Sequence, residues 1–171
     1  MTVQDFQNTV IPLKRKLFVV AFRLVGQAQD AEDMVQDIMI RIWEQQQPLD
    51  TYNNIEAYLM TLVRNRSLDR LKYNKLRRGG EAQTDVVSSG PTPDHTLERA
   101  ESHQHVQRMV RSLPDSQREI LILRDFVGYS YQDIAEITGM DLNRVKVGIH
   151  RARKALKGLL SKDNHYGVHT A

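Results

Sequence analysis

The chain has 171 residues, of which 40% are apolar and 26% charged, the balance of a folded water-soluble protein rather than a disordered or fibrous one. It contains no cysteine, which excludes disulfides, thiolate nucleophiles and cysteine-ligated zinc. The formal charge of +3 is too small to indicate a nucleic-acid partner by itself, although its distribution is uneven.

In chain order, Phe6, Val10, Leu13, Leu17, Val20, Ala21 and Leu24 form one helical stripe, split or bent at Pro12 and stopping near Gly26. Ala31, Met34, Val35, Ile38 and Ile42 form a second stripe, for which Asp30 is the expected N-cap and Trp43 the end. This helix opens with four acids and no base between Asp30 and Asp37. Residues 46–54 read as a loop around Pro48, followed by a third stripe of Ile55, Leu59, Leu62, Leu68 and Leu71. That helix carries seven Lys or Arg and one acid between Arg64 and Arg78.

From Gly79 to about Asp94, glycine, serine and proline replace apolar periodicity, as in a linker. A helix through Val106, Met109 and Val110 follows, and Pro114 suits the first turn of the next one, which carries Ile120, Leu121, Leu123 and Phe126. Gly128 breaks the pattern, Ser130 caps a short helix, and a last helix runs from Asp141 to about Leu160, with six basic residues and no acid between Arg144 and Lys157. The pattern predicts an all-α protein. An N-terminal helical bundle over 1–76 and a C-terminal four-helix unit over 98–163 are joined by a flexible linker over 77–97, and residues 164–171 form a disordered tail.

Residues 130–155 have the marks of a helix-turn-helix. Ala135 is small where two helices cross, Gly139 can take a positive φ at the turn, and Val145 is an apolar plug. With Val145, Ile149, Ala152 and Leu156 turned inward, Arg144, Val147, Gly148, Arg151 and Lys154 are left to solvent or DNA. Entry of this helix into the major groove would bring Asn143, Arg144 and Val147 nearest base edges, and Lys146, Arg151 and Arg153 onto phosphates. An ordinary helical hairpin with a solvated basic face is the competing reading.

At this point the chain resembles a known family over nearly its whole length, the extracytoplasmic-function (ECF) sigma factors of the sigma-70 class. Four stretches carry the match: Asp30 to Asp37 with Trp43; Tyr58-Leu59 through Arg64-Asn65 to Leu68-Asp69-Arg70; Leu113-Pro114 through Arg118-Glu119; and Tyr131 to Ala135 onward through His150 to Arg153. The resemblance implies that residues 1–76 are sigma region 2, which binds core polymerase and melts the −10 element, and that 98–163 are region 4, which reads the −35 element. It implies that Asp33, Gln36, Asp37 and Arg41 dock on the β′ coiled coil of RNA polymerase. Asp33, Gln36 and Asp37 share one helical face, as such docking requires.

For the −10 DNA the resemblance implies the loop Asp50, Thr51, Tyr52 and Asn53, with Arg64, Asn65, Arg66, Asp69 and Arg70 on the following helix. For the −35 DNA it implies the helix bearing Asn143, Arg144, Lys146, Val147, Arg151, Arg153 and Lys154. It further implies a contact with the polymerase β flap and inhibition by an anti-sigma factor, without cofactor or metal. Two positions depart from the family pattern: Tyr58 stands where many relatives have Trp, and Gly148 where relatives usually have a basic residue, which would remove a phosphate contact and cost roughly 1 kcal/mol of helix stability.

Other functions have less support. The six histidines form no metal-ligand spacing, and His103 and His105 lie on different helix faces. No phosphate loop or nucleophile motif is present, so no enzymatic activity is expected. Residues 1–10 lack the order of a leader and no apolar run reaches membrane length, which points to the cytoplasm and no membrane insertion. The principal alternative is a helix-turn-helix regulator that does not bind core polymerase; it would carry an alternating strand and helix domain where residues 1–75 read as helices.

Overall fold

The structure, a computed structural model, describes residues 1–77 and 97–166, and every regular element among them is helical. The chain divides into two compact units, Met1–Pro91 and Thr92–Ala171. Residues 78–96 of the expected linker and 167–171 of the expected tail lie outside the described residues.

In the first unit, α1 (Val3–Asp5) begins with a capping box: Thr2 Oγ1 accepts from the Asp5 N–H at 3.1 Å, and the Asp5 carboxylate accepts from the Thr2 N–H at 2.9 Å. The backbone bond from Thr2 and then its hydroxyl hold the Asp5 carboxyl below its usual value. A π turn (Phe6–Val10) and a 3-10 turn (Ile11–Leu13) lead into α2 (Lys14–Val25). Pro12 has no N–H, and its ring crowds the carbonyl four residues back, so the regular ladder cannot pass through it. The expected split is therefore a change of pitch. α2 ends at Gly26, whose φ of 82° lets its N–H reach the Phe22 carbonyl at 2.7 Å.

α3 spans Ala28–Gln45, with extended Gln27 as its N-cap, so Asp30 is not the cap that the sequence suggested. The left-handed turn at Gly26 has already redirected the chain, and Asp30 becomes the third helical residue, still facing the free amides of the first turn. The helix passes Trp43, whose ring meets Phe6 edge-on at 5.3 Å, and ends at Gln46 with φ 49°. A 3-10 turn (Leu49–Thr51) occupies part of the expected loop, and the Asn54 side chain caps α4 (Ile55–Arg77) by accepting from the Ala57 N–H at 3.0 Å.

α2 packs against both α3 and α4. Its neighbours bury Ala57, Leu59, Met60, Val63 and Ser67 of α4 and leave Leu62, Leu68 and Leu71 half-buried, a rotation from the predicted stripe. The line of contact follows Met60, Val63 and Ser67 at helical spacing, and the Val63 carbonyl satisfies the buried Ser67 hydroxyl at 2.7 Å.

The second unit holds α5 (Leu97–Ser112), α6 (Asp115–Leu121) continuing through a π turn (Ile122–Val127), α7 (Tyr131–Thr138) and α8 (Leu142–Tyr166). Pro114 precedes α6 rather than lying in its first turn; at ψ 144° its carbonyl caps the helix by accepting from the N–H groups of Gln117 and Arg118. α8 continues past the predicted end at Leu160 and takes in 164–166 of the expected tail.

Arg118 pins the corner between α5 and α6. It is buried, and its Nη2 donates to the carbonyls of Arg111 at 2.7 Å and Leu113 at 3.0 Å while lying 3.2 Å from Asp115. Burial pulls its pKa down and Asp115 pulls it up. Arg118→Met leaves the Arg111 and Leu113 carbonyls without their donor and is expected to lower stability by about 1–2 kcal/mol in urea unfolding. An unchanged midpoint would show that these bonds contribute nothing.

Candidate nucleic-acid interface

The two helices of the helix-turn-helix are set by local chemistry. Ser130 Oγ accepts from the Asp133 N–H at 3.1 Å and the Asp133 carboxylate accepts from the Ser130 N–H at 3.0 Å, so α7 starts with a closed capping box. It ends at Gly139, where φ is 72° and the N–H reaches the Ala135 carbonyl at 2.9 Å. Ala135 is only half-buried, and the deep packing of α7 is made by Ile134 and Ile137. Asp141 then caps α8 by accepting from the Arg144 N–H at 2.9 Å.

Val145, Ile149 and Ala152 are buried, which leaves Asn143, Arg144, Lys146, Val147, Arg151 and Lys154 exposed on the outer face of α8. Among the described residues, Arg144, Lys146, Arg151 and Lys154 are paired with no acid, so their charge is presented to solvent. Arg153 differs. Its Nε and Nη2 donate to the two carboxylate oxygens of Asp125, the first at 3.0 Å, and this bonded pair raises its pKa. The guanidinium expected on a phosphate is engaged inside the unit.

Gly148 also departs from the outward position expected of it. A Cβ there would stand 2.4 Å from Cδ1 of Ile120, a buried residue of α6. The position therefore faces the end of the Ile120 side chain on α6. Beside this approach is a groove of about 330 Å³ floored by Ile120, Met140 and Gly148 and rimmed by Asn143, Arg144 and Arg151. Ser116 and Gln117 of α6 also line it. The sequence reading missed both, because nothing local connects them to α8.

In the first unit Asp33, Gln36, Asp37 and Arg41 are exposed on α3. The cations of α4 turn toward that helix: Arg66 lies 3.5 Å from Asp37, and Arg70 bonds Asp30 at 3.1 Å. Arg64 donates to Asn65 at 3.0 Å, and Asp69 lies 4.0 Å from Lys72. In the loop, Asp50, Thr51 and Asn53 are exposed, while Tyr52 is half-buried with its ring 5.0 Å from that of Tyr58. Burial, and secondarily Tyr58, raise the Tyr52 phenol above its usual pKa. Among the described residues no cluster of His, Cys, Asp or Glu could hold a metal ion, and no helix is long and apolar enough to cross a membrane.

Comparison with known proteins decides among the readings. The family profile described as Sigma-70 region 2 matches residues 10–77, and that described as Sigma-70, region 4 matches residues 103–156. The ECF RNA polymerase sigma factor EcfG of Rhodopseudomonas palustris is 35% identical over 163 residues, which cover 93% of this chain and 87% of that protein. The chain belongs to the ECF sigma factors. The ECF RNA polymerase sigma factor SigW of Bacillus subtilis is 25% identical over 162 residues, covering 89% of this chain and 87% of its own. A solved structure of the sigma factor RpoE in complex with the anti-sigma factor NepR from Bartonella quintana shares 27% identity at a TM-score of 0.73, covering 93% of this chain and 98% of that one.

The protein is thus an RNA polymerase sigma factor of the sigma-70 family, which directs core polymerase to promoters and initiates DNA-templated transcription. A regulator that does not bind polymerase is not favoured, because residues 10–77 match region 2. In this sigma factor Gly148 faces Ile120 of α6. Gly148→Ala should gain helix propensity yet displace Ile120 Cδ1, a displacement that Ile120→Val removes. A double-mutant cycle in urea is expected to give a coupling of about 1 kcal/mol, with Gly148→Ala more favourable when combined with Ile120→Val than alone. Additive effects would mean that the contact is not felt.

Proposed function

We propose that the four exposed residues Asp33, Gln36, Asp37 and Arg41 of α3 form the surface that docks on the β′ coiled coil of core polymerase. The observation that carries this is an exposed face, polar at these four positions and apolar at Ile40, on a helix whose opposite face is buried in the bundle. An acidic face is steered and registered by a basic partner. Asp50, Thr51, Tyr52 and Asn53, with Arg64, Asn65, Arg66, Asp69 and Arg70, engage the −10 element, where an unstacked base is held by stacking and hydrogen bonds. The pairs of Arg66 and Arg70 with α3 are exposed, worth under about 1 kcal/mol each, and so can be exchanged for phosphate.

In the second unit, Asn143, Arg144 and Val147 face base edges of the −35 element while Lys146, Arg151 and Lys154 hold phosphates. Arg153 is left out of that set because its Nε and Nη2 both bond the two carboxylate oxygens of Asp125, a two-point pairing that the single bonding nitrogens of Arg66 and Arg70 do not make. The β flap is the polymerase contact of this unit. The relative solved with NepR supports an anti-sigma factor as a further partner here. We read the protein as a non-enzymatic, cofactor-free cytoplasmic factor.

Two measurements test the assignments. Asp33→Arg with Asp37→Arg should abolish binding to core polymerase and run-off transcription while helical circular dichroism is retained; binding that survives would remove α3 from the interface. In the salt dependence of promoter binding, Arg151→Ala should reduce the slope by about one unit and Arg153→Ala should leave it unchanged. Equal losses from the two would return Arg153 to the phosphate contacts.

A further inference from the structure

Two large apolar side chains in the first turns of α8 are exposed, Leu142 at 40% and Val147 at 47%, and Val147 is the one that lines the groove with Asn143, Arg144 and Arg151. At roughly 100° per residue it stands about 160° round the helix from Val145, so the core takes nothing from it. A β-branched residue is also a weaker helix former than the straight-chain residues that usually fill such sites. Its place in the surface gives it a use. Val147 is part of the wall of the groove beside Gly148, with Asn143 one turn before it and Arg151 one turn after.

Asparagine and arginine supply the donors and acceptors that read adenine and guanine edges, and the only apolar group displayed in the major groove is the C5 methyl of thymine. We propose that Val147 is a specificity-determining residue that reads one thymine of the −35 element through that methyl. The inference rests on α8 being the promoter-reading helix and adds which base chemistry it selects. A single exposed apolar side chain is ordinary on a protein surface; this one lies among cations unpaired with acids, on the face that meets DNA.

The test uses the full chain with core polymerase to enrich duplexes from a random-sequence library. Each thymine of the enriched upstream element is then replaced singly by deoxyuridine, which removes only the methyl. One replacement is expected to weaken binding by the wild-type protein about fourfold, the equivalent of one buried methyl group. Val147→Ala, an exposed change to a better helix former, should bind the thymine and uracil duplexes alike. Circular dichroism establishes that this variant is folded. If no replacement weakens binding, if the enriched element has no thymine, or if Val147→Ala keeps the preference, the proposal is overturned and promoter reading by α8 stands. If no sequence is enriched, promoter reading falls and the proposal with it.

Discussion

At Gly148 a Cβ would meet the terminal methyl of Ile120, so α8 turns a position without a side chain toward a buried residue of α6. Two helices that touch through a glycine leave room beside the contact, and here the room is the groove next to Asn143, Arg144 and Arg151. The direction of α8 is set by the left-handed turn at Gly139 together with the caps at Ser130 and Asp141. Burial of Val145, Ile149 and Ala152 then fixes its rotation. Once direction and rotation are set, the outer face has no freedom left: the residues opposite the buried stripe are those presented to solvent.

The first unit solves a different problem with similar parts. α3 opens with acids, α4 carries cations, and the two lie in one bundle, so Asp37 and Asp30 come within reach of Arg66 and Arg70. Each such pair reduces the bare charge of the surfaces before any partner arrives, and each is exposed, so water and salt keep it weak. The buried contacts Leu59, Met60 and Val63 hold the helices, and the ion pairs only orient side chains on the rim.

Much of this was readable beforehand because an amphipathic helix must repeat its apolar residues at the spacing of its turns. The helices, the turns at Gly26, Gly128 and Gly139, and the plug at Val145 all announce themselves within a few residues. What was misread depended on distant neighbours. Asp30 is a better intrinsic cap than Gln27, but the turn at Gly26 placed the helix start earlier. The α4 stripe turned because two helices cover it. Not legible either, though no misreading, was the pair that Arg153 makes with Asp125 across 28 residues.

Gly148 shows why angular position is a better guide than exposure inferred from charge. At roughly 100° per residue it stands about 60° from Val145, nearer the buried stripe than the opposite face, whereas a basic residue at that site in relatives suggested an outward position. Arg153, about 80° from Val145, lies on the flank, where a long side chain can reach back to α6 and its π turn. Lys154 and Val147 lie nearly opposite. Arg153 is the cation of α8 bonded within the unit, to Asp125, whereas Arg144, Lys146, Arg151 and Lys154 are paired with no acid among the described residues. A count of basic residues would treat them alike, but the geometry of one helix against another separates them.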